Sequence, residues 1–99
     1  MVLDLFKLDG RIAVVTGGSR GLGKAYALAL AEAGADVAII GVTEAAATVA
    51  EIERLGRRAW SFTADLGEGK AAEEKVMAEV LAATGGIDIL VNNAGIIRR

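Results

Sequence analysis

The feature that most narrows the possible folds is a glycine-spaced turn, Thr16-Gly17-Gly18-Ser19-Arg20-Gly21-Leu22-Gly23. It stands between the short apolar run Ile12-Ala13-Val14-Val15 and the alanine-rich stretch from Leu22 to Ala33, which Gly34 closes. A continuous apolar run of that length suits a strand buried on both faces. The stretch after it suits a helix ending at a glycine. Gly17 permits a sharp exit from the strand, where positive φ would strain any other residue. Gly21 has no side chain, which leaves room for a diphosphate to approach the backbone, and Gly23 lets the opening of the helix pack closely on the sheet. The helix N-terminus adds unpaired N–H groups and a partial positive charge, together an anion site. A glycine-rich turn alone can be only a turn; the strand-turn-helix setting makes the phosphate cradle the sharper reading. The generic G-x-G-x-x-G requires glycine or alanine at its last position, where this chain has Tyr26. The spacing here is the distinct T-G-x-x-x-G-x-G.

Downstream, two kinds of segment alternate. Val37-Ala38-Ile39-Ile40 is a second apolar run, closed by Gly41. Thr43 to Leu55 follows, with Val49, Ile52 and Leu55 spaced for one helical face and Gly56 as a stop. Arg58 to Thr63 mixes apolar and polar residues and suits a strand nearer a sheet edge. Glu68 to Thr84 sets Ala72, Val76 and Val80 on one face before Gly85-Gly86, and Ile87 to Val91 is the last apolar run. The order β-α-β-α-β-α-β predicts an α/β, Rossmann-like, three-layer unit: a parallel sheet, right-handed crossovers and helices on both faces. With no repeat, linker or proline to mark a boundary, residues 1–99 are expected to form one dinucleotide-binding domain.

At 99 residues, the chain buries only about two-thirds of the surface that its unfolded form exposes, so its stability margin is expected to be thin. Hydrophobic residues make up 54% of it and charged residues only 24%, an apolar excess that implies a surface meeting a partner. The net charge of −2 comes with scattered Lys and Arg, not the basic face that nucleic acid requires. The absence of cysteine excludes disulfides and thiol catalysis, and the absence of histidine removes the commonest general base. No metal site is expected. Met1 to Asp9 lacks a signal-peptide core and no apolar run approaches a membrane span, so the expected setting is cytoplasmic, without a membrane partner.

Three motifs in register carry a resemblance. The glycine turn after the first strand, Asp65-Leu66 after the third and Asn92-Asn93-Ala94-Gly95 after the fourth resemble the short-chain dehydrogenase/reductase family, over nearly the whole chain. The tail Ile96-Ile97-Arg98-Arg99 and the opening Leu5-Phe6-Lys7-Leu8 most resemble the branch that oxidises sugar acids, the 2-deoxy-D-gluconate 3-dehydrogenases, gluconate 5-dehydrogenases and their relatives. The resemblance implies a sheet order of 3-2-1-4 and NAD or NADP as cofactor. It implies that Gly17, Gly21 and Gly23 cradle the diphosphate, with Ser19, Arg20 and Leu22 in the same turn. Asp65 would accept a hydrogen bond from the adenine amino group, with Leu66 beside the ring. Asn92 and Asn93 would brace the strand ends, and Ala94 and Gly95 would leave room for the adenosine ribose. Simpler roles compete: Asp65 as the cap of a turn or helix, and Asn92 and Asn93 as turn formers.

The choice between NAD and NADP stays open. NAD-preferring domains offer an acidic residue at the end of the second strand. Here that place falls near Gly41-Val42-Thr43, and Glu44 belongs to the helix start, where it would favour the helix dipole. Arg20 matches the place where NADP-preferring members put a basic group, a slight tilt to NADP; it also fits a solvated turn.

Family chemistry needs a tyrosine acid/base, a lysine, a serine and an asparagine, which in the family lie downstream of Asn-Asn-Ala-Gly. The one tyrosine here is Tyr26, and the fourth residue after it is Leu30, so Y-x-x-x-K fails. The expectation is a unit truncated after its fourth strand, with no catalytic residues and inactive alone. The fourth strand would then be an exposed edge, inviting a homodimer through it or the adjoining helices. Three functions follow: the NAD(P)-binding half of a sugar-acid dehydrogenase, a free-standing module for a dinucleotide or adenine nucleotide, or a self-associating interaction protein.

Overall fold

A computed structural model describes residues 7–17 and 21–93. The elements are β1 (Ile12–Thr16), α1 (Gly21–Glu32), β2 (Asp36–Gly41), α2 (Ala46–Arg54), β3 (Ala59–Thr63), a 3-10 turn (Leu66–Glu68), α3 (Lys70–Thr84) and β4 (Ile89–Asn92). The strands form one sheet in the order β3-β2-β1-β4, parallel at every pairing. The order follows from composition. β1 and β2, apolar almost throughout, take the central places and are buried along nearly their whole length. β3, with its mixed Ala-Trp-Ser-Phe-Thr, takes one edge, and β4 takes the other.

Alternation along the strands divides the core into two layers. On one face Ala13, Val15, Val37 and Ile39 pack with Ala27 and Ala31 of α1, Ala35, Ala45 and Ile52 of α2. On the other, Val14, Ala38 and Ile40 meet Val76 and Val80 of α3, with Trp60 and Phe62 of β3 at the margin. Alanine on the inner side of α1 brings that helix close to the sheet. Asp36 fastens the far edge: its Oδ1 accepts from the Arg58 backbone N–H at 2.9 Å, and its Oδ2 from the Arg58 guanidinium at 3.2 Å. That guanidinium lies 5.1 Å from the centre of the Trp60 ring.

Beyond β4, which opens at Ile89 and not at Ile87, three helix boundaries depart from expectation. Helix α2 opens at Ala46, not Thr43, so Glu44 precedes the helix and is not part of its first turn. The start is set where the Ala45 N–H reaches Ser61 Oγ of β3, at 3.0 Å. Leu55, expected on the buried face, is the C-cap and is 46% exposed. Its N–H bonds back to Ile52 at 3.0 Å, a tightening to three-residue spacing that rotates Leu55 off the apolar face before Gly56 turns at φ +87°. Helix α3 opens at Lys70, not Glu68, because Asp65 caps the 3-10 turn first. Gly85 then closes α3 in the left-handed region, its N–H on Leu81 O at 2.9 Å.

Candidate functional site

The carboxyl ends of the strands converge on one rim, and the order β2-β1-β4 makes the β1–β4 boundary the point where the connections change direction. In open α/β sheets, ligands occupy the crevice at that point. Gly17 leaves β1 at φ +73°, its N–H donating to Ile40 O at 2.6 Å. Gly23 is buried beneath the start of α1, and a Cβ there would overlap the Gly17 carbonyl and stand 3.0 Å from Asn93 Nδ2. The first turn of α1 is therefore seated directly on the exit from β1. Gly21 heads the helix at φ +63°, and a Cβ added to it would meet nothing within 4 Å. The start of α1 is thus closed against β1 at Gly23 and open at Gly21.

The opposite wall is tied in from far along the chain. Thr16 Oγ1 lies 3.1 Å from Asn92 Oδ1 and 3.4 Å from Val91 O, joining the ends of β1 and β4. Asn92 is exposed and Asn93 half-buried. Beyond β3, Asp65 is exposed, and its Oδ1 accepts from the Gly67 N–H at 2.9 Å, so it does cap a turn. Leu66 is half-buried and packs on the α3 layer, while Leu22 is 61% exposed at the mouth of the glycine turn. Of the other residues expected in the site, Ser19, Arg20, Ala94 and Gly95 lie outside the described residues.

A groove of about 260 Å³ opens between the end of β3 and α3, bordered by Asp65, Glu68, Lys75 and Glu79. Three carboxylates against one ammonium would repel a diphosphate, so the groove does not compete with the glycine cradle. Among the described residues no cluster of acidic side chains could hold a metal ion, and no helix is long and apolar enough to cross a membrane.

Helices α1 and α2, which flank the rim, are linked by Lys24 Nζ and Glu51 Oε2 at 2.7 Å. The hydrogen bond from Lys24 holds the Glu51 carboxyl below its ordinary range; partial desolvation opposes this, and the charges of Lys24 and Arg54 add to it. A depressed folded value stabilises the fold above the unfolded carboxylate range, and that contribution is lost as pH falls through the folded value. The difference in thermal midpoint between the wild type and Glu51→Gln is therefore expected to be small at neutral pH, because the pair is solvent-screened, and to shrink as pH falls through and below the ordinary carboxylate range. A difference unchanged across that range would show that the link does not act through charge.

Two contributors escaped the sequence reading. Thr16 stands in the sequence only as the start of the turn, and Ser61 belongs to no motif. The period-two pattern of β3 contained the signal for Ser61: Trp60 and Phe62 face α3, which sends Ser61 to the α2 side.

Residues 11–99 match the short chain dehydrogenase family. The 2-dehydro-3-deoxy-D-gluconate 5-dehydrogenase of Escherichia coli is 46% identical over 99 residues, which is 100% of this chain and 39% of that protein. A short chain dehydrogenase from Burkholderia cenocepacia, solved in complex with NADP, is 52% identical with a TM-score of 0.82, over 93% of this chain and 38% of that one. Carveol dehydrogenase from Mycobacterium avium, solved with NAD, is 26% identical with a TM-score of 0.81, over 90% of this chain and 37% of that one. The chain spans about two fifths of the length of these relatives. Sequence motifs, sheet order and these matches agree, and the chain belongs to the short chain dehydrogenase family.

Proposed function

We propose that these residues form the NAD(P)-binding half of an oxidoreductase of the sugar-acid dehydrogenase type, holding the cofactor without turning over substrate unaided. The observation that carries this reading is the seating of Gly23 on Gly17 beneath an open Gly21, at the switch point of the sheet. In this reading Gly17, Gly21 and Gly23, with Ser19, Arg20 and Leu22, surround the diphosphate. Asp65 and Leu66 take the adenine, the Asp65 carboxyl serving both its turn and the ligand. Asn92, Ala94 and Gly95 border the ribose. The bound nicotinamide would supply the hydride chemistry; these residues bind and orient it. They offer no proton relay of their own, since Tyr26 stands on α1, 39% exposed, with Leu30 where the lysine would be. Either NAD or NADP fits. A cysteine-free sequence accords with a cytoplasmic setting.

Calorimetric titration with NAD, NADP and ADP, run beside a redox assay, tests the reading. Saturable binding without turnover is expected. Gly21→Asp, which sets a carboxylate beside the phosphates, is expected to weaken binding by about tenfold or more, ~1.4 kcal/mol. Affinity unmoved by that substitution, or no binding at millimolar ligand, would remove the cradle as the site. Turnover of a carbonyl compound by the chain alone would remove the claim of inactivity.

A second reading, self-association, is favoured by one observation. On β4, at the edge of the sheet, Leu90 is 57% exposed although its neighbour Val14 is fully buried. A strand edge beside an exposed leucine invites a second copy. Light scattering at tens of micromolar protein is expected to give a dimer, and a clean monomer would dismiss this reading.

A further inference from the structure

The stretch Val42–Glu44 bridges the end of β2 and the start of α2. Two hydrogen bonds, one at each end, tie it to the β3 side. Gly41 O accepts from the Ala64 N–H at 2.9 Å, and the Ala45 N–H donates to Ser61 Oγ at 3.0 Å. The second is unusual in kind. Ala45 is the N-cap of α2 and has no side-chain oxygen, so α2 has no side-chain cap of its own. A serine hydroxyl from the neighbouring strand holds the cap residue instead, 16 residues away in sequence. The residue held in this way is 3% exposed, whereas Val42 within the bridge is 66% exposed. A buried amide that lost this acceptor would have to turn elsewhere for one, and the bridge would move with it.

Resting on the nucleotide-binding reading above, we infer that Ser61 is a positioning residue: it fixes the Gly41–Ala45 segment and thereby sets the balance between nucleotides with and without a 2′-phosphate. The end of the second strand is where folds of this kind meet the ribose hydroxyls. Here Gly41 brings no side chain to that place. At this strand end, discrimination falls to the placement of the backbone and side chains of Val42, Thr43 and Glu44. Ser61 does not touch the ligand; it acts through Ala45. Its effect should appear in the ratio of two affinities, because NAD and NADP differ only at the ribose 2′ position.

The test is calorimetric titration of wild type, Ser61→Ala and Ser61→Thr with NAD and with NADP. Ser61→Ala is expected to change the ratio of the two dissociation constants by about threefold or more. Ser61→Thr keeps a hydroxyl on a residue suited to strands, and it is expected to restore the wild-type ratio. If Ser61→Ala fails to fold, Ser61→Cys, whose thiol is a weak acceptor, is expected to shift the ratio in the same way. A ratio that stays constant in Ser61→Ala or Ser61→Cys, with both affinities unchanged or lowered together, would reduce Ser61 to a structural residue and overturn the inference alone. So would Ser61→Thr behaving like Ser61→Ala. A wild type that binds neither nucleotide would overturn the nucleotide reading and this inference with it.

Discussion

Gly23→Ala is expected to destabilise the protein by about 3 kcal/mol, the upper part of the usual cost of forcing atoms into a packed interior, and to abolish measurable nucleotide binding. The added methyl overlaps the backbone carbonyl of Gly17 and presses on Asn93 Nδ2, so no rotamer change relieves it. Relief requires α1 to lift from the sheet, which parts Gly17 from Gly21 and opens the cradle. Denaturant unfolding paired with NADP titration checks both effects. A variant within about 0.5 kcal/mol of wild type, still binding, would show that the helix does not bear on the turn as described. Gly21→Asp is the contrasting case. With open space around it and a positive φ that aspartate tolerates better than most residues, that variant should keep its fold while losing ligand.

The second large effect is expected at the centre of the sheet. Ile39 is 1% exposed, paired to Val15 on one side and Ser61 on the other, within the layer beneath α1 and α2. Ile39→Ala is expected to cost about 3–4 kcal/mol from lost burial and the cavity left behind. At roughly 4–8 °C per kcal/mol for a domain of this size, the melting midpoint should fall by about 12 °C or more. A chain this short has a total stability near the low end of about 5–15 kcal/mol, so the variant should keep only about 1–2 kcal/mol of it. Circular dichroism melts give the answer. A shift under about 4 °C would mean that the α1–α2 layer repacks freely, against its closely fitted alanines.

The central strands and the positions of Gly17 and Gly23 could be read from the residues because both are local. An unbroken run such as Val37 to Ile40 has one comfortable place in a parallel sheet, and glycines at the end of such a run allow few conformations. The 3-10 turn before α3 and the late start of α2 could not be read in the same way. Each is decided by a partner brought in by the fold: Asp65 bending back on Gly67, and Ser61 reaching Ala45 across 16 residues. Leu55 fits the apolar face by counting along an ideal helix and leaves it because the real helix tightens in its last turn. The roles assigned to Asp65, Leu66 and Asn92 came from family resemblance. Those roles stand as part of the proposed reading.

The tie between Thr16 and Asn92 has a kinetic consequence. The β1–β2 pairing joins residues such as Ile12 and Asp36, whereas Thr16 and Asn92 are 76 positions apart. Bringing such distant stretches together costs more chain entropy and slows the search, although the cost rises only logarithmically with separation. During synthesis the glycine turn can settle against α1 while the strand that will stand opposite is still unmade. The receiving edge thus becomes whole only once β4 is in place, and a chain caught earlier would have a well-formed near side and no far one.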